Sequence, residues 1–275
     1  MKKALLFFDG LSYYENAIAF VQRLHLLSPL VVTGLFAPVV SLANLWSYAA
    51  AGEGSVTVPA LLEKGEDAEL RDHIDRFEQT CQSVRMPYHV HKEVNDLALP
   101  VLQHESRFAD VLLLSGNTFY QEMLYGSPMQ YIRDILHRVE CPVLILPETS
   151  TFPTNILIAY DGNRESVYAL KQFAYLFPEL ARLPATIIHA QKGEAGRFPD
   201  RKLVEELAGA HFKNIEWLNL TDSPKDDVRD WIEHRPDALV VTGSFSRSWL
   251  SELLRDSFSE ELVRNHRLPV FIAHR

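Results

Sequence analysis

Short apolar runs without polar alternation recur along the chain, and stretches with helical periodicity separate them. The runs ALLFF, LVVTGLF, VLLLS and VLIL are rich in Val, Ile, Leu and Phe, which is typical of strands buried on both faces of a parallel sheet. Between such runs, SYYENAIAFVQRLHLL and VYALKQFAYLF carry apolar residues on one helical face; in the first these are Ala17, Phe20, Val21 and Leu24. The alternation predicts an α/β fold with a doubly wound parallel sheet.

The same pattern occurs twice. The opening KALLFFDGLSYYENAIAFVQRL aligns with NILIAYDGNRESVYALKQFAYL, so that Asp9-Gly10 matches Asp161-Gly162. ADVLLLSGNTF aligns with PDALVVTGSFS, and each copy closes on a Pro-led apolar run, CPVLIL or LPVFIA. The first copy carries about 25 additional residues, near 37–66. We therefore predict two tandem domains, 1–148 and 153–275.

The additional segment of the first copy, near 37–66, contains Trp46 and Tyr48 in an apolar stretch and then the flexible run AAGEGS. One interpretation is a helical flap that covers the crevice of the first copy or packs between the copies. The alternative is a surface excursion used in dimerisation. The linker PETSTFPTN is short and contains two prolines, which predicts that the copies are held close. Their last strands are then expected to pair edge to edge, which makes the chain an internal pseudo-dimer, either monomeric or a homodimer.

Composition narrows the classes of partner. The 275 residues carry a net charge of −9, which argues against sequence-independent binding to nucleic acid. No apolar run reaches the roughly 20 residues needed to span a bilayer, and MKKALLFFDG reaches Asp9 before a signal-peptide core is complete. These features predict a cytoplasmic protein without a membrane partner. Cys81 and Cys141 are too few and too far apart for a disulfide framework or a zinc cluster, and we expect buried thiols.

Candidate binding residues follow the predicted strands, where ligands bind in doubly wound sheets. The Asp-Gly pairs follow the first strand of each copy, while Ser115-Gly116 and Thr242-Gly243 end a later strand. Gly126-Ser127-Pro128 predicts a helix start, whose free N–H groups suit phosphate oxygens. A carboxylate at a neighbouring strand end accepts hydrogen bonds from a ribose hydroxyl or a base. The alternative reading is ordinary turn and cap chemistry.

In combination, these features resemble the universal stress protein family over nearly the whole chain, as two tandem copies. The resemblance implies a five-stranded parallel α/β fold in each copy, dimerisation through the last strand, and either a nucleotide-binding or a non-binding branch. The ATP-binding branch carries the motif G-x2-G-x9-G-[ST]. The first copy keeps Gly126-Ser127 and, ten residues earlier, Gly116. The second keeps Gly243, with Ser246 in place of the middle glycine and Asp256-Ser257 in place of the final pair.

The resemblance implies that an adenine nucleotide, ATP or AMP, binds to the first copy, with or without Mg²⁺. It assigns this site to Asp9, Gly10, Gly116, Gly126 and Ser127. A second, degenerate site would comprise Asp161, Gly162, Gly243, Ser246 and Ser257. Asp256 would repel phosphates unless a divalent cation bridged the two, which favours the first copy.

A scaffold that has lost its ligand and acts through its surfaces is the alternative function. Phe119 and Tyr120 support it, because they replace the small or polar residues that the family resemblance implies in that loop. His89 and His91 share one face of a predicted strand, but a structural role is favoured over a metal site because no third ligand is evident. No GxxxxGK[ST], GxGxxG, GxSxG or HExxH motif occurs, so we predict slow incidental ATP hydrolysis at most.

Overall fold

The computed structural model describes residues 1–9, 12–37, 66–93, 98–115, 135–190, 198–220, 231, 234–243 and 268–273. Contacts between residues divide the chain into two compact units, Met1–Cys141 and Pro142–Arg275. Most of the additional segment at 37–66 lies outside the described residues, so both interpretations of it stay predictions. No helix in the described part of the chain combines the length and the apolar character needed to cross a membrane.

Four parallel strands build the described sheet of the first unit, in the order β3-β2-β1-β4. They are β1 (Lys2–Phe8), β2 (Leu30–Phe36), β3 (Tyr88–Lys92) and β4 (Val111–Ser115). Helices among the described residues include α1 (Glu15–Leu27), α2 (Glu66–Ser83) and α3 (Ala98–Ser106). The strands predicted from ALLFF, LVVTGLF and VLLLS are confirmed. From Ala4 onward strand β1 is apolar without alternation because its side chains are buried on both faces of the sheet, and Leu5 to Phe8 are fully buried.

Helix α1 buries the predicted apolar stripe. Ala17, Phe20, Val21 and Leu24 are all buried, as the helical spacing requires. The helix begins at Glu15, however, and not at Ser12 where the periodic pattern starts. The reason is local, because the backbone N–H of Ser12 donates to the Asp9 carboxylate and that of Glu15 donates to the Tyr13 carbonyl. Residues 12–14 therefore complete a turn before the helix starts.

The second unit contains six described strands in the order β5-β10-β9-β6-β7-β8. They are β5 (Val143–Leu146), β6 (Asn155–Ala159), β7 (Ala185–Ala190), β8 (Ile215–Leu220), β9 (Ala238–Thr242) and β10 (Val270–Ile272). The helices are α4 (Arg164–Leu176) and α5 (Arg201–His211), with a 3₁₀ turn at Leu180–Arg182. All neighbouring strands from β10 to β8 are parallel.

Strand β5 is antiparallel to β10, with Val270 opposite Ile145, Phe271 opposite Leu144 and Ile272 opposite Val143. The predicted edge-to-edge pairing of the two Pro-led runs is thus confirmed. In the sequence repeat β5 closes the first copy, yet its contacts group it with the second unit because β10 is its partner. The predicted division between residues 148 and 153 stays a prediction. Each sequence copy contributes five described strands, and the predicted pair of tandem doubly wound α/β sheets is confirmed.

Candidate functional site

The strand order creates one topological switch point in each unit. From β1 the chain runs outward to β2 and β3, and then returns to β4 on the other side of β1. In the second unit, β6 has β7 on one side and β9 on the other. Crevices at the carboxyl ends of such strands are the usual ligand sites of doubly wound sheets. Asp9 follows β1 at this point, and Asp161 lies just beyond β6.

The Asp9 carboxylate is engaged by donors of its own chain. The backbone N–H of Ser12 donates to Oδ1 over 2.9 Å, and the Tyr14 hydroxyl donates to Oδ2. Asp9 is only 4% exposed, and Tyr14 is also buried. Sequence reasoning placed Asp9 at the site but missed Tyr14, which lay within a stretch interpreted as helix. The carboxylate is therefore positioned to accept two hydrogen bonds, and the protein itself supplies two donors.

Aromatic rings surround the Asp9 end of β1. The Phe8 ring stacks on Phe36 with centroids 4.6 Å apart and on Tyr13 at 5.6 Å. The Arg76 guanidinium lies 4.2 Å from the centroid of the Tyr13 ring, a cation–π contact. Burial raises the pKa of the Tyr13 phenol, although a hydrogen bond with Thr80 and the charge of Arg76 oppose the shift. The Asp9 end of β1 thus rests on a buried aromatic cluster.

The Asp161 carboxylate has different hydrogen-bond partners, in the turn that precedes α4. Asn163 donates its backbone N–H to Oδ1 over 3.0 Å and its side-chain N–H to Oδ2 over 3.0 Å. Gly162 between them has a φ of +81°, a left-handed conformation that favours glycine. The Asp161 carboxylate is half-buried and lies nearer to solvent than that of Asp9. The predicted Asp-Gly pair therefore forms a turn in the second unit.

Gly243 serves the packing of its own unit. A Cβ atom at this position would lie 2.1 Å from the Glu165 carbonyl carbon and oxygen and 2.4 Å from the Ser166 nitrogen. No side chain fits there, so the end of β9 touches the first turn of α4. Close packing between a helix and a strand is one of the roles that glycines take in doubly wound folds. The backbone of α4, rather than a ligand, occupies the space beside Gly243.

A second aromatic cluster lies over the carboxyl ends of β6 and β7. The Phe198 ring stacks on Tyr160 at 5.4 Å and meets the Trp217 ring edge-on at 5.1 Å. Burial raises the pKa of the Tyr160 phenol, and the carboxylates of Asp200 and Asp161 raise it further because they disfavour a phenolate. Sequence analysis did not single out this cluster. Its members are far apart in the chain, and no periodic signal links them.

Six predicted site residues lie outside the described part of the chain: Gly10, Gly116, Gly126, Ser127, Ser246 and Ser257. Among the described residues, no group of three or more His, Cys, Asp or Glu side chains is arranged to hold a metal ion. His91 instead lies 3.0 Å from a carboxylate oxygen of Glu105 on α3. The described side chains therefore supply no ready-made Mg²⁺ site.

Comparison with known proteins gives matches in structure but not in sequence. No protein-family model and no curated protein matches the chain. A universal stress protein from Archaeoglobus fulgidus aligns over 100% of this chain and 96% of its own, with 17% identity and a TM-score of 0.66. The functionally unknown protein PA1789 from Pseudomonas aeruginosa covers 100% and 92%, with 14% identity and a TM-score of 0.53.

A putative universal stress protein, also from Pseudomonas aeruginosa, covers 100% of this chain and 93% of its own length. Its identity is 14% and its TM-score is 0.52. At such identities the likeness concerns the fold, and it extends over both sequence copies. The structural likeness agrees with the resemblance found in the sequence motifs. This chain has the universal stress protein fold along its whole length.

Proposed function

We propose that the protein is a tandem universal stress protein whose first unit binds an adenine nucleotide, ATP or AMP. The observation that carries this proposal is the switch point of the first unit. Its strand order brings the end of β1, with Asp9, beside the end of β4, with Ser115. The sequence continues from Ser115 into Gly116 and, ten residues later, Gly126-Ser127, the residues that resemble a phosphate-binding motif.

Each residue of the proposed site has a distinct role. The Asp9 carboxylate accepts hydrogen bonds from the ribose hydroxyls, which replace the Tyr14 hydroxyl and the Ser12 N–H as donors. Gly10 and Gly116 allow the backbone to approach the nucleotide closely. Gly126 and Ser127, at the helix start that the sequence predicts, donate to phosphate oxygens. In the second copy Asp256 replaces Gly126, and its negative charge opposes phosphate binding. The proposal is therefore confined to the first unit.

The test is isothermal titration calorimetry with ATP and AMP on four proteins. These are the wild type, Asp9→Asn, Gly126→Asp, and Asp161→Asn as the matched control from the second unit. We expect binding by the wild type and by Asp161→Asn. Loss of about tenfold or more in affinity is expected for Asp9→Asn, because the neutral amide donates where the ribose needs an acceptor. Equal affinity in all four proteins would place the nucleotide elsewhere.

A second candidate function is a ligand-free scaffold that works through its surfaces. The observation that favours it is the burial of Asp9, with donors of its own chain on both carboxylate oxygens. Mass spectrometry of small molecules released from freshly purified protein separates the two functions. Adenine nucleotide released by the wild type and absent from Gly126→Asp supports binding. No released nucleotide, together with no thermal shift on adding ATP and Mg²⁺, supports the scaffold.

Cellular location and assembly are part of the same proposal. We propose that the protein acts in the cytoplasm, as a single chain whose β5 and β10 pair internally or as a homodimer of such chains. The β5–β10 pairing supports the internal arrangement because it uses the strand edges through which single-copy relatives are expected to dimerise. Light scattering coupled to size-exclusion chromatography distinguishes one chain of 31.4 kDa from two.

A further inference from the structure

Phe198 lies in a box of three aromatic side chains in the second unit. Its ring centroid is 5.4 Å from that of Tyr160, with the two planes only 6° apart. The His189 ring lies 5.4 Å away and is tilted by 54°, and the Trp217 ring lies 5.1 Å away at 81°. Tyr160 follows β6, His189 is on β7 and Trp217 is on β8. The box therefore stands at the carboxyl ends of β6 and β7 and against the middle of β8.

The segment that carries Phe198 covers this box from the surface. Phe198 and Pro199 are half-buried and Asp200 is exposed, whereas Tyr160 and His189 beneath them are 1% and 3% exposed. Pro199 packs against Gly162, where a Cβ atom would lie 2.7 Å from the Pro199 Cβ. Asp200 has a φ of +45°, a left-handed conformation that a non-glycine residue adopts at a cost. The segment that covers the box therefore contains one residue, Asp200, in a strained backbone conformation.

His189 has a buried acceptor that the cover does not satisfy. Its Nδ1 atom lies 3.0 Å from the Tyr160 carbonyl oxygen. A carbonyl can only accept, so Nδ1 carries a proton, and in the neutral imidazole Nε2 is then the acceptor. Nε2 is buried and has no hydrogen-bond partner among the residues that the structure describes. An acceptor left in this state is unfavourable, and the phenyl ring of Phe198 has no N–H or O–H group to offer it.

We propose that this box is a binding site for a planar aromatic ring that carries one N–H or O–H donor, and that Phe198 is its resident, displaceable occupant. A ligand ring takes the stacking position on Tyr160 and the edge contact with Trp217, and its donor bonds to His189 Nε2. The ligand satisfies the acceptor that Phe198 leaves unpaired. The proposal concerns the second unit and does not rest on nucleotide binding by the first.

The test uses phenol and toluene, two rings of nearly equal size of which only phenol donates. Binding is measured by calorimetry on the wild type, on Phe198→Ala, and on Phe108→Ala as the control, since Phe108 is an exposed phenylalanine of the first unit. We expect phenol to bind Phe198→Ala at least about tenfold more tightly than the wild type, because the variant lacks the competing ring. Toluene should bind the same variant about fivefold more weakly than phenol, the effect of one neutral hydrogen bond. Phe108→Ala should behave as the wild type.

A spectroscopic readout locates the hydrogen bond. In protein labelled with ¹⁵N-histidine, phenol should shift the Nε2 resonance of His189 in Phe198→Ala, whereas toluene should not. A His189→Leu change made in the same background assigns the signal and should abolish the preference for phenol. If Phe198→Ala does not fold, Phe198→Leu is used in its place, since leucine preserves apolar cover but leaves part of the ring position open. Absence of phenol binding by the folded variant, or equal affinity for phenol and toluene, overturns the proposal.

Discussion

The Tyr14 hydroxyl donates a hydrogen bond to the Asp9 carboxylate, and both side chains are buried where β1 ends. The contact joins the turn after β1 to the residue before α1 and fixes the carboxylate at the switch point. It also places a chain donor where the proposed nucleotide would bring a ribose hydroxyl. Tyr14 is therefore a structural partner of Asp9 and, under the proposed function, a competitor of the ligand.

Replacing Tyr14 with phenylalanine should have two opposite effects. The free energy of unfolding should fall by about 1–3 kcal/mol, because a buried carboxylate oxygen loses a donor. Affinity for ATP should rise by about fivefold, because the ribose no longer competes with the phenol. Urea denaturation and calorimetry measure the two effects. Tyr13→Phe is the matched control, since the Tyr13 hydroxyl lies 3.5 Å from Thr80 Oγ1, at the limit of a hydrogen bond. If Tyr14→Phe and Tyr13→Phe lowered the free energy of unfolding equally, the hydrogen bond from Tyr14 to Asp9 would contribute little to stability.

Gly243 and Gly209 should respond in opposite directions to alanine. Gly243→Ala drives a methyl group into the backbone of Glu165 and should lower the free energy of unfolding by about 3 kcal/mol, as overpacking against main-chain atoms does. Gly209 is exposed within α5 and has nothing within 4 Å of the added carbon. Gly209→Ala should stabilise by about 0.5–1 kcal/mol through helix propensity. A neutral effect of Gly243→Ala would contradict the close approach of β9 to α4.

Both cysteines should stay protonated in the folded protein at ordinary pH. Burial raises the pKa of Cys81 to about 12, and it raises that of Cys141 to about 12 as well. Thiol reagents at pH 8 should therefore label the native protein far more slowly than the unfolded chain.

The same pKa shifts predict how stability depends on pH. Above the ordinary thiol pKa near 9 the unfolded chain loses protons that the folded protein keeps. The free energy of unfolding should then fall by about 1.4 kcal/mol per pH unit for each thiol, up to about pH 12. Below pH 9 the thiols should have no effect. Denaturation curves from pH 7 to 11 test this, with Cys81→Ala and Cys141→Ala as controls that should each reduce the slope. An unchanged slope in both variants would assign the pH dependence to other groups.

Leu144 and Phe271 lie directly opposite each other in β5 and β10, and both are fully buried. A double-mutant cycle with Leu144→Ala and Phe271→Leu should give a coupling of about 0.5–1 kcal/mol, typical of neighbouring cross-strand side chains. Ile187→Val in β7 serves as the control, because β9 and β6 separate β7 from β10. Its effect should add to that of Phe271→Leu. Additivity in both cycles would contradict the register.

The strands and the first helix of each copy could be predicted because their signals are local. Apolar runs correspond to β1, β2, β4 and β5, and the stripe from Ala17 to Leu24 faces the core as its spacing requires. The repeat also made the β5–β10 pairing predictable. The start of α1 was predicted too early because hydrogen bonds at Ser12 and Glu15, rather than periodicity, determine it.

The candidate sites were less predictable for a physical reason. Asp9 could be found because an Asp-Gly pair after a buried strand is a sequence signal. Tyr14 and Phe198 could not, since their roles depend on which side chains the fold brings against them. Gly243 was predicted as part of a degenerate ligand site, because the sequence does not tell a ligand from the backbone of Glu165 as the close neighbour.

The pairing of β5 with β10 also bears on synthesis of the chain. Strand β5 is made before any other strand of the second unit, yet its hydrogen-bonding partner is the last described strand. While β6 to β9 are translated, the edge of β5 that later pairs with β10 lacks its native partner. All four residues of β5 are apolar and are buried in the folded protein. Such an edge is a site for mispairing between nascent chains. The β5 edge is covered only when Val270–Ile272 pairs with it. A ribosome that stalls before it translates these residues would therefore prolong the time for which the edge is exposed.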